Sequence, residues 1–143
     1  MPLFRSLFRP AAPIWVDRML AAFRVVAGLM FVISGTQLLF GMPPGSDPFT
    51  PPARWSEMWV GGILQAVGGG AIVLGVWARP VAFVLAGQMA VAYFQFHAPR
   101  AFLPNNNGGI AAVLYCFFFL YVMVAGAGAW SLDAAIARAG QDD

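Results

Sequence analysis

Lysine is absent from this 143-residue chain, cysteine and histidine occur once each, and only 10% of the residues are charged. A soluble globular domain carries about 25%. The lone Cys116 excludes an intramolecular disulfide, a CxxC pair and an iron–sulfur ligand set, so the chain holds no self-contained thiol-exchange chemistry. Its plain role is a small residue packed in a helix interface. The lone His97 cannot by itself form a structural metal site, which takes about four ligands, and no metal is expected. All eight basic residues are arginine and the net charge is +2, a small surplus and not a nucleic-acid-binding face; nucleic acid is not an expected partner. Asp, Glu and Lys are missing from the interior of every long apolar run. That removes a carboxylate relay of the kind ion pumps use, and any acidic pair for general acid–base work at membrane depth.

What the chain has instead is hydrophobic length. Residues 19–40, 58–77, 80–96 and 109–129 form four apolar runs in a sequence that is 60% hydrophobic. Each approaches the roughly 17 to 25 residues a helix needs to cross about 30 Å of hydrocarbon. The expected fold is all-α, a four-transmembrane-helix bundle forming one domain over residues 1–143, with outer loops at 41–57 and 97–108. The first run is too long for a signal h-region and no small-x-small site follows it, so it reads as a retained span. Arg5, Arg9, Arg18, Arg24, Arg79 and Arg138 share one side of this topology, against Arg54 and Arg100 on the other. The positive-inside rule then places both termini in the cytoplasm. Trp15, Trp77 and Trp130 fall at the cytoplasmic boundary and Trp55 and Trp59 at the outer one, where amphipathic rings favour the headgroups. Leu3, Phe4, Leu7 and Phe8 interleave with Arg5 and Arg9, a pattern for the inner interface or for a tail. The first outer loop is stiffened by Pro43, Pro44, Pro48, Pro51 and Pro52. Ala78 and Arg79 alone separate the second and third runs, with Pro80 suited to a first helical turn, so these helices are antiparallel neighbours.

Gly28 and Gly35 in the first run, and Gly61, Gly68 and Gly75 in the second, repeat every seven residues, with Gly62 and Gly69 beside them. Such stripes let helix backbones approach closely in lipid. Gln65 lies on the same stripe, which makes it a buried polar group in need of a partner. Arg24 either snorkels to the interface or turns inward to a ligand. His97 either bonds the loop at residues 105–107 or donates to a ligand carbonyl. Phe117, Phe118 and Phe119 meet lipid or a partner helix.

From Arg24 to Asp133 the chain resembles the DoxX family of small four-helix membrane proteins. The first run carries Arg24, Gly28, Phe31, Gly35, Gln37 and Gly41 in the order of that family's Arg, Gly, Phe, Gly pattern. The second has Gly62, Gln65, Gly68 and Gly69 where the family has GxLExxGG, followed by Gly75 and Arg79. Met89, His97, Pro104, Asn107, Gly108, Gly109, Tyr115, Gly126, Gly128, Ser131 and Asp133 continue the match. Leu38 replaces a frequent Lys, Gln65 a Glu, Ile110 a Glu, Ser34 a His and Ala127 a Pro.

The resemblance implies the membrane subunit of a quinone-linked thiol or sulfur redox system, in the bacterial cytoplasmic (inner) membrane. Quinone is the one cofactor it suggests. Arg24, Gln37, Gln65, His97, Asn107 and Tyr115 are the pocket candidates, since amide, phenol and imidazole groups can hydrogen-bond a headgroup in apolar surroundings. Nothing in the chain carries electrons, so a protein partner would have to. The alternative is a non-catalytic accessory or scaffold subunit, in contact with the bilayer and with a protein partner or further copies of itself. No inverted repeat or broken helix pair of the secondary-transporter kind is seen.

Overall fold

The computed structural model describes residues 13–45 and 49–139, and these contain helices and no strand. In chain order they are α1 (Pro13–Phe40), α2 (Glu57–Leu74), α3 (Ala78–Ala92), α4 (Pro104–Asn107), α5 (Ile110–Ala125) and α6 (Leu132–Ala139). A π-helical turn, Tyr93–His97, continues α3 without a break. The alternating segment with Arg5 and Arg9, and Pro48 of the first loop, lie outside the described residues.

Two of these helices, α1 with 28 residues and α2 with 18, are long and apolar enough to cross a bilayer. The fourth apolar run is shorter as a helix than its hydropathy suggests, because α5 has 16 residues and ends where Gly126 (φ 91°) turns out of the helical region. The chain then turns again at Gly128 and enters α6, a helix the apolar pattern does not announce. Ser131 caps α6 by accepting from Ala134 N at 3.1 Å, which satisfies one of its open amides. Ser56 caps α2 in the same way, accepting from Trp59 N at 3.2 Å.

Two glycine stripes one residue apart serve two different interfaces. A Cβ on Gly28 would stand 2.8 Å from the carbonyl oxygen of Gly69, and one on Gly35 would stand 2.7 Å from that of Gly62. The α1 and α2 backbones therefore touch along their length and run antiparallel. Gly68 instead faces the Leu85 side chain, and Gly61 faces Gln88, both on α3. Gly75 is not part of a helical stripe: at φ 66° it is the left-handed residue that ends α2, and Ser131 packs against it. Tyr93 opposite Gly109 and Arg79 opposite Gly126 make α3 and α5 antiparallel too.

Many large apolar side chains point outward, and alanines are prominent among the buried residues beside Phe31, Ile72, Leu85 and Phe119. Phe23, Val26, Leu114 and Val124 are well exposed, while Ala21, Ala78, Ala82 and Ala86 are buried. The three consecutive phenylalanines divide accordingly: Phe117 is 68% exposed, Phe118 half-buried, and Phe119 0% exposed. Phe119 meets Phe31 edge-on with centroids 4.7 Å apart, and Phe31 also meets Tyr115 at 4.8 Å, which joins α5 to α1.

At the end opposite the first loop, two charged side chains lock three segments together. Arg24 does not snorkel; it is 0% exposed and its guanidinium is spent on backbone carbonyls. Nε donates to Ala127 O at 2.7 Å, Nη1 to Val73 O at 2.7 Å and to Ile72 O, and Nη2 to Trp130 O at 3.0 Å. A cation thus sits on the negative end of α2. Asp133 does the reverse at the positive end of α3, where its carboxylate accepts from Trp77 N and Ala78 N, both at 2.9 Å. Trp77 is held there in the left-handed region at φ 47°, a costly conformation for a bulky residue. Asp133→Ala removes both acceptors and is expected to destabilise the fold by about 1–2 kcal/mol, with Asp133→Asn losing less. Chemical unfolding in detergent micelles, followed by circular dichroism, measures both.

Candidate functional site

At the end that carries the first loop, α2 and α3 part to leave a cavity of about 390 Å³. The reason lies in the facing residues. Gly61 has no side chain to fill the gap, and the residue opposite it, Gln88, reaches across to donate Nε2 to Gly61 O at 2.9 Å. Leu38, Met58, Val91 and Phe96 give the cavity apolar walls, and its polar groups are Gln65, Gln88, Gln95, Glu57, His97 and Arg100.

Two of those groups are left with unmet hydrogen-bonding capacity. Gln65 Oε1 and Gln88 Oε1 are buried and have no partner among the described residues. The Gly61 carbonyl fixes the orientation of the Gln88 amide, since that carbonyl can only accept. Gln95 donates to the Glu57 carboxylate at the rim. His97 Nδ1 lies 3.1 Å from Asn107 O. A carbonyl cannot donate, so Nδ1 carries the proton and Nε2 of the neutral ring is the acceptor.

The π turn and the short loop after it hold His97 in place. The wider turn is closed by Ala98 N bonding to Tyr93 O at 2.8 Å, an i to i+5 bond. Tyr93 is buried and donates its hydroxyl to Phe102 O. Asn107, 5% exposed, accepts from Gly109 N at 2.7 Å and donates to Ala101 O at 2.7 Å, which fixes the carbonyl that orients His97.

Of the residues singled out from the sequence, Gln65 and His97 line this cavity. Asn107 supports it through His97, with its own amide spent inside the loop. Gln37 lies next door: it donates to Pro43 O at 3.0 Å and lines a separate space of about 270 Å³ under the first loop, with Leu38 between the two. Tyr115 stacks on Phe119 with centroids 6.1 Å apart and belongs to the α1/α5 contact. Arg24 is 13 residues from Gln37 on the same helix, about 20 Å along its axis. One headgroup cannot span that distance, so Arg24 and Gln37 do not share a ligand pocket. Arg24 belongs instead to the packing that joins α1, α2 and the segment after α5.

Gln88, Gln95, Glu57 and Arg100 were missed as site residues. Gln88 carried a usable signal. The tight connection between α2 and α3 makes them antiparallel neighbours, and Gln88 is the polar residue of α3 that then meets the Gly61 end of the α2 stripe.

Comparison with known proteins places these features in context. The DoxX family model matches residues 19–98, which include most of α1, all of α2 and α3 and the π turn, and so most of the cavity wall. An uncharacterized protein of Haemophilus influenzae is 36% identical over 117 residues, covering 80% of this chain and 87% of that protein. No solved structure matches.

Proposed function

This chain belongs to the DoxX family of membrane proteins, and on that footing we propose that it is the membrane subunit of a quinone-linked thiol or sulfur redox system, with its ligand site in the α2/α3 cavity. The observation that carries this reading is a cleft with apolar walls whose lining also holds the amide, imidazole and guanidinium groups of Gln65, Gln88, His97 and Arg100. A few placed polar groups in an apolar cleft suit a small ring with oxygen substituents. With one cysteine and one histidine, the chain supplies no electron carrier of its own, so the quinone would exchange electrons with a protein partner.

In this reading α1, α2, α3 with its π turn, and α5 cross the bacterial inner membrane as four spans. The Arg24 end faces the cytoplasm and the cavity lies near the outer surface. The distribution of arginines and the placement of Trp15, Trp77 and Trp130 against Trp55 and Trp59 support that orientation. The exposed apolar side chains of α1 and α5 would meet lipid, a protein partner or a second copy.

Purification from native membranes into nanodiscs, with mass spectrometry of extractable quinone and co-purifying proteins, tests the proposal. The expected result is quinone retained by the wild type together with a redox partner, and a roughly tenfold loss of retained quinone in Gln65→Leu and His97→Ala. A quinone-free preparation holding a fixed partner would instead establish an accessory subunit, a reading favoured by the neutral residues Leu38, Gln65 and Ile110.

A further inference from the structure

We propose that the groove between α1 and α5 at the Arg24 end of the bundle holds one anionic phospholipid, with an acyl chain in the groove and the phosphate on Arg18. This goes beyond the redox reading and rests only on α1 and α5 lying in the bilayer.

The groove measures about 540 Å³ and is walled by Trp15, Met19, Leu20 and Phe23 of α1 and by Phe118 and Tyr121 of α5. The two helices meet through aromatic side chains, Phe31 on Tyr115 and Phe119, and that wide spacing leaves room beside the contact. Trp15, Met19, Phe23 and Tyr121 each expose more than half of their surface. Trp15 and Phe23 lie eight residues apart, about 12 Å along a helix, which carries the groove from headgroup depth into hydrocarbon. An apolar channel of that run suits the upper part of an acyl chain. Trp15 and Tyr121, each with an apolar body and a polar tip, suit its headgroup end.

Charge singles out the head. The Arg18 guanidinium is exposed and lies 5.2 Å from the centre of the Trp15 ring, which puts a cation on the lip of the groove. The adjacent carboxylate does not oppose it, because Asp17 lines a separate cavity with Gly128, Ser131 and Asp133. No acidic side chain lines the groove itself. A planar guanidinium matches two phosphate oxygens at once, and basic positions beside clefts between membrane helices recognise anionic headgroups. A zwitterionic head brings the same phosphate together with an ammonium group that Arg18 repels.

The test uses the full chain in mild detergent, offered equal amounts of dioleoyl phosphatidylglycerol and dioleoyl phosphatidylethanolamine, with bound lipid counted per chain by native mass spectrometry. The expected result is one phosphatidylglycerol per chain, retained about fivefold better than phosphatidylethanolamine. That preference is expected to fall towards one in Arg18→Gln and to persist in Arg138→Gln, which removes the same charge from an exposed site on α6. A phosphatidylglycerol with a photoreactive acyl chain is expected to crosslink to peptides spanning residues 19–23 or 118–121. Equal retention of the two lipids, or an equal fall in both arginine variants, overturns the proposal by assigning the effect to bulk charge. Crosslinks elsewhere, or a dimer whose second copy covers the groove, overturn it as well. Quinone retention is expected to be unchanged in Arg18→Gln, so the lipid site and the α2/α3 cavity stand or fall separately.

Discussion

Replacing Arg24 with leucine is expected to lower the thermal midpoint of the detergent-solubilised protein by roughly 10–20 °C, the larger of the two effects argued here. The size follows from what the guanidinium does. It supplies four hydrogen bonds, to the carbonyls of Ile72, Val73, Ala127 and Trp130, from a position with no exposure. Leucine fills part of the volume but leaves the Val73, Ala127 and Trp130 carbonyls without that donor, while Ile72 O keeps its bond from Gly75 N at 3.1 Å. Each buried orphan costs about 1–3 kcal/mol, and the bonds lost are charge-assisted. The favourable placement of a cation at the C-terminal end of α2 goes with them. Arg24→Lys separates the contributions. A lysine keeps the charge but has one ammonium in place of a planar fork, so it can reach fewer of four carbonyls drawn from two segments, and an intermediate midpoint is expected. The readout is intrinsic tryptophan fluorescence on heating, to which Trp77 and Trp130, flanking the clamp, would contribute. A midpoint in Arg24→Leu within a few degrees of wild type would show that the carbonyls find other partners.

Why this clamp escaped a reading of the sequence is instructive. The arginine itself is conspicuous, a lone charge in an apolar run, and two fates were foreseen for it, snorkelling or ligand binding. Its actual partners are main-chain carbonyls 48 to 106 residues away. Every residue has a carbonyl, so side-chain identity at Ile72 or Ala127 says nothing about the role. The same is true of Asp133, whose partners are two backbone amides. Features that depend on side-chain shape fared better. The hydropathy of residues 19–40 and 58–77 was enough to find α1 and α2, although α1 starts earlier at Pro13 and α2 stops at Leu74. The run at 109–129 extends past α5, which ends at Ala125, because Gly126 and Gly128 adopt positive φ and turn the chain. The π turn at Tyr93–His97 leaves no mark in the apolar period, yet it carries Gln95 and His97 to the cavity. For the site, Gln65 and His97 were legible as polar groups in poor company. Their neighbours Gln88 and Glu57 required the α2/α3 pairing to be worked through residue by residue.

The helical glycines permit a prediction whose sign changes from one glycine to another. Gly35→Ala is expected to destabilise by about 1–3 kcal/mol, while Gly70→Ala is expected to be neutral or to stabilise by up to about 1 kcal/mol. Both are single methyl additions within α1 or α2 and both improve helix propensity. They differ in what the methyl meets. At Gly35 it would press into the α2 backbone, 2.7 Å from Gly62 O and against Ala66 N. Backbone cannot rotate away as a side-chain end can, so α1 and α2 must separate, and that opens the Gly28–Gly69 contact on the same seam. At Gly70 nothing lies within 4 Å, so the methyl adds only to helix propensity. Gly68→Ala falls between them, because its Cβ would stand 2.9 Å from Leu85 Cδ2, the far end of a side chain that can shift. The three variants, unfolded in parallel in one detergent, should therefore rank Gly70→Ala above Gly68→Ala above Gly35→Ala in stability. A uniform response would mean that helix propensity decides these positions. The predicted order would mean that close backbone approach between α1 and α2 holds the bundle together, with the α2/α3 contact left loose enough to open a cavity.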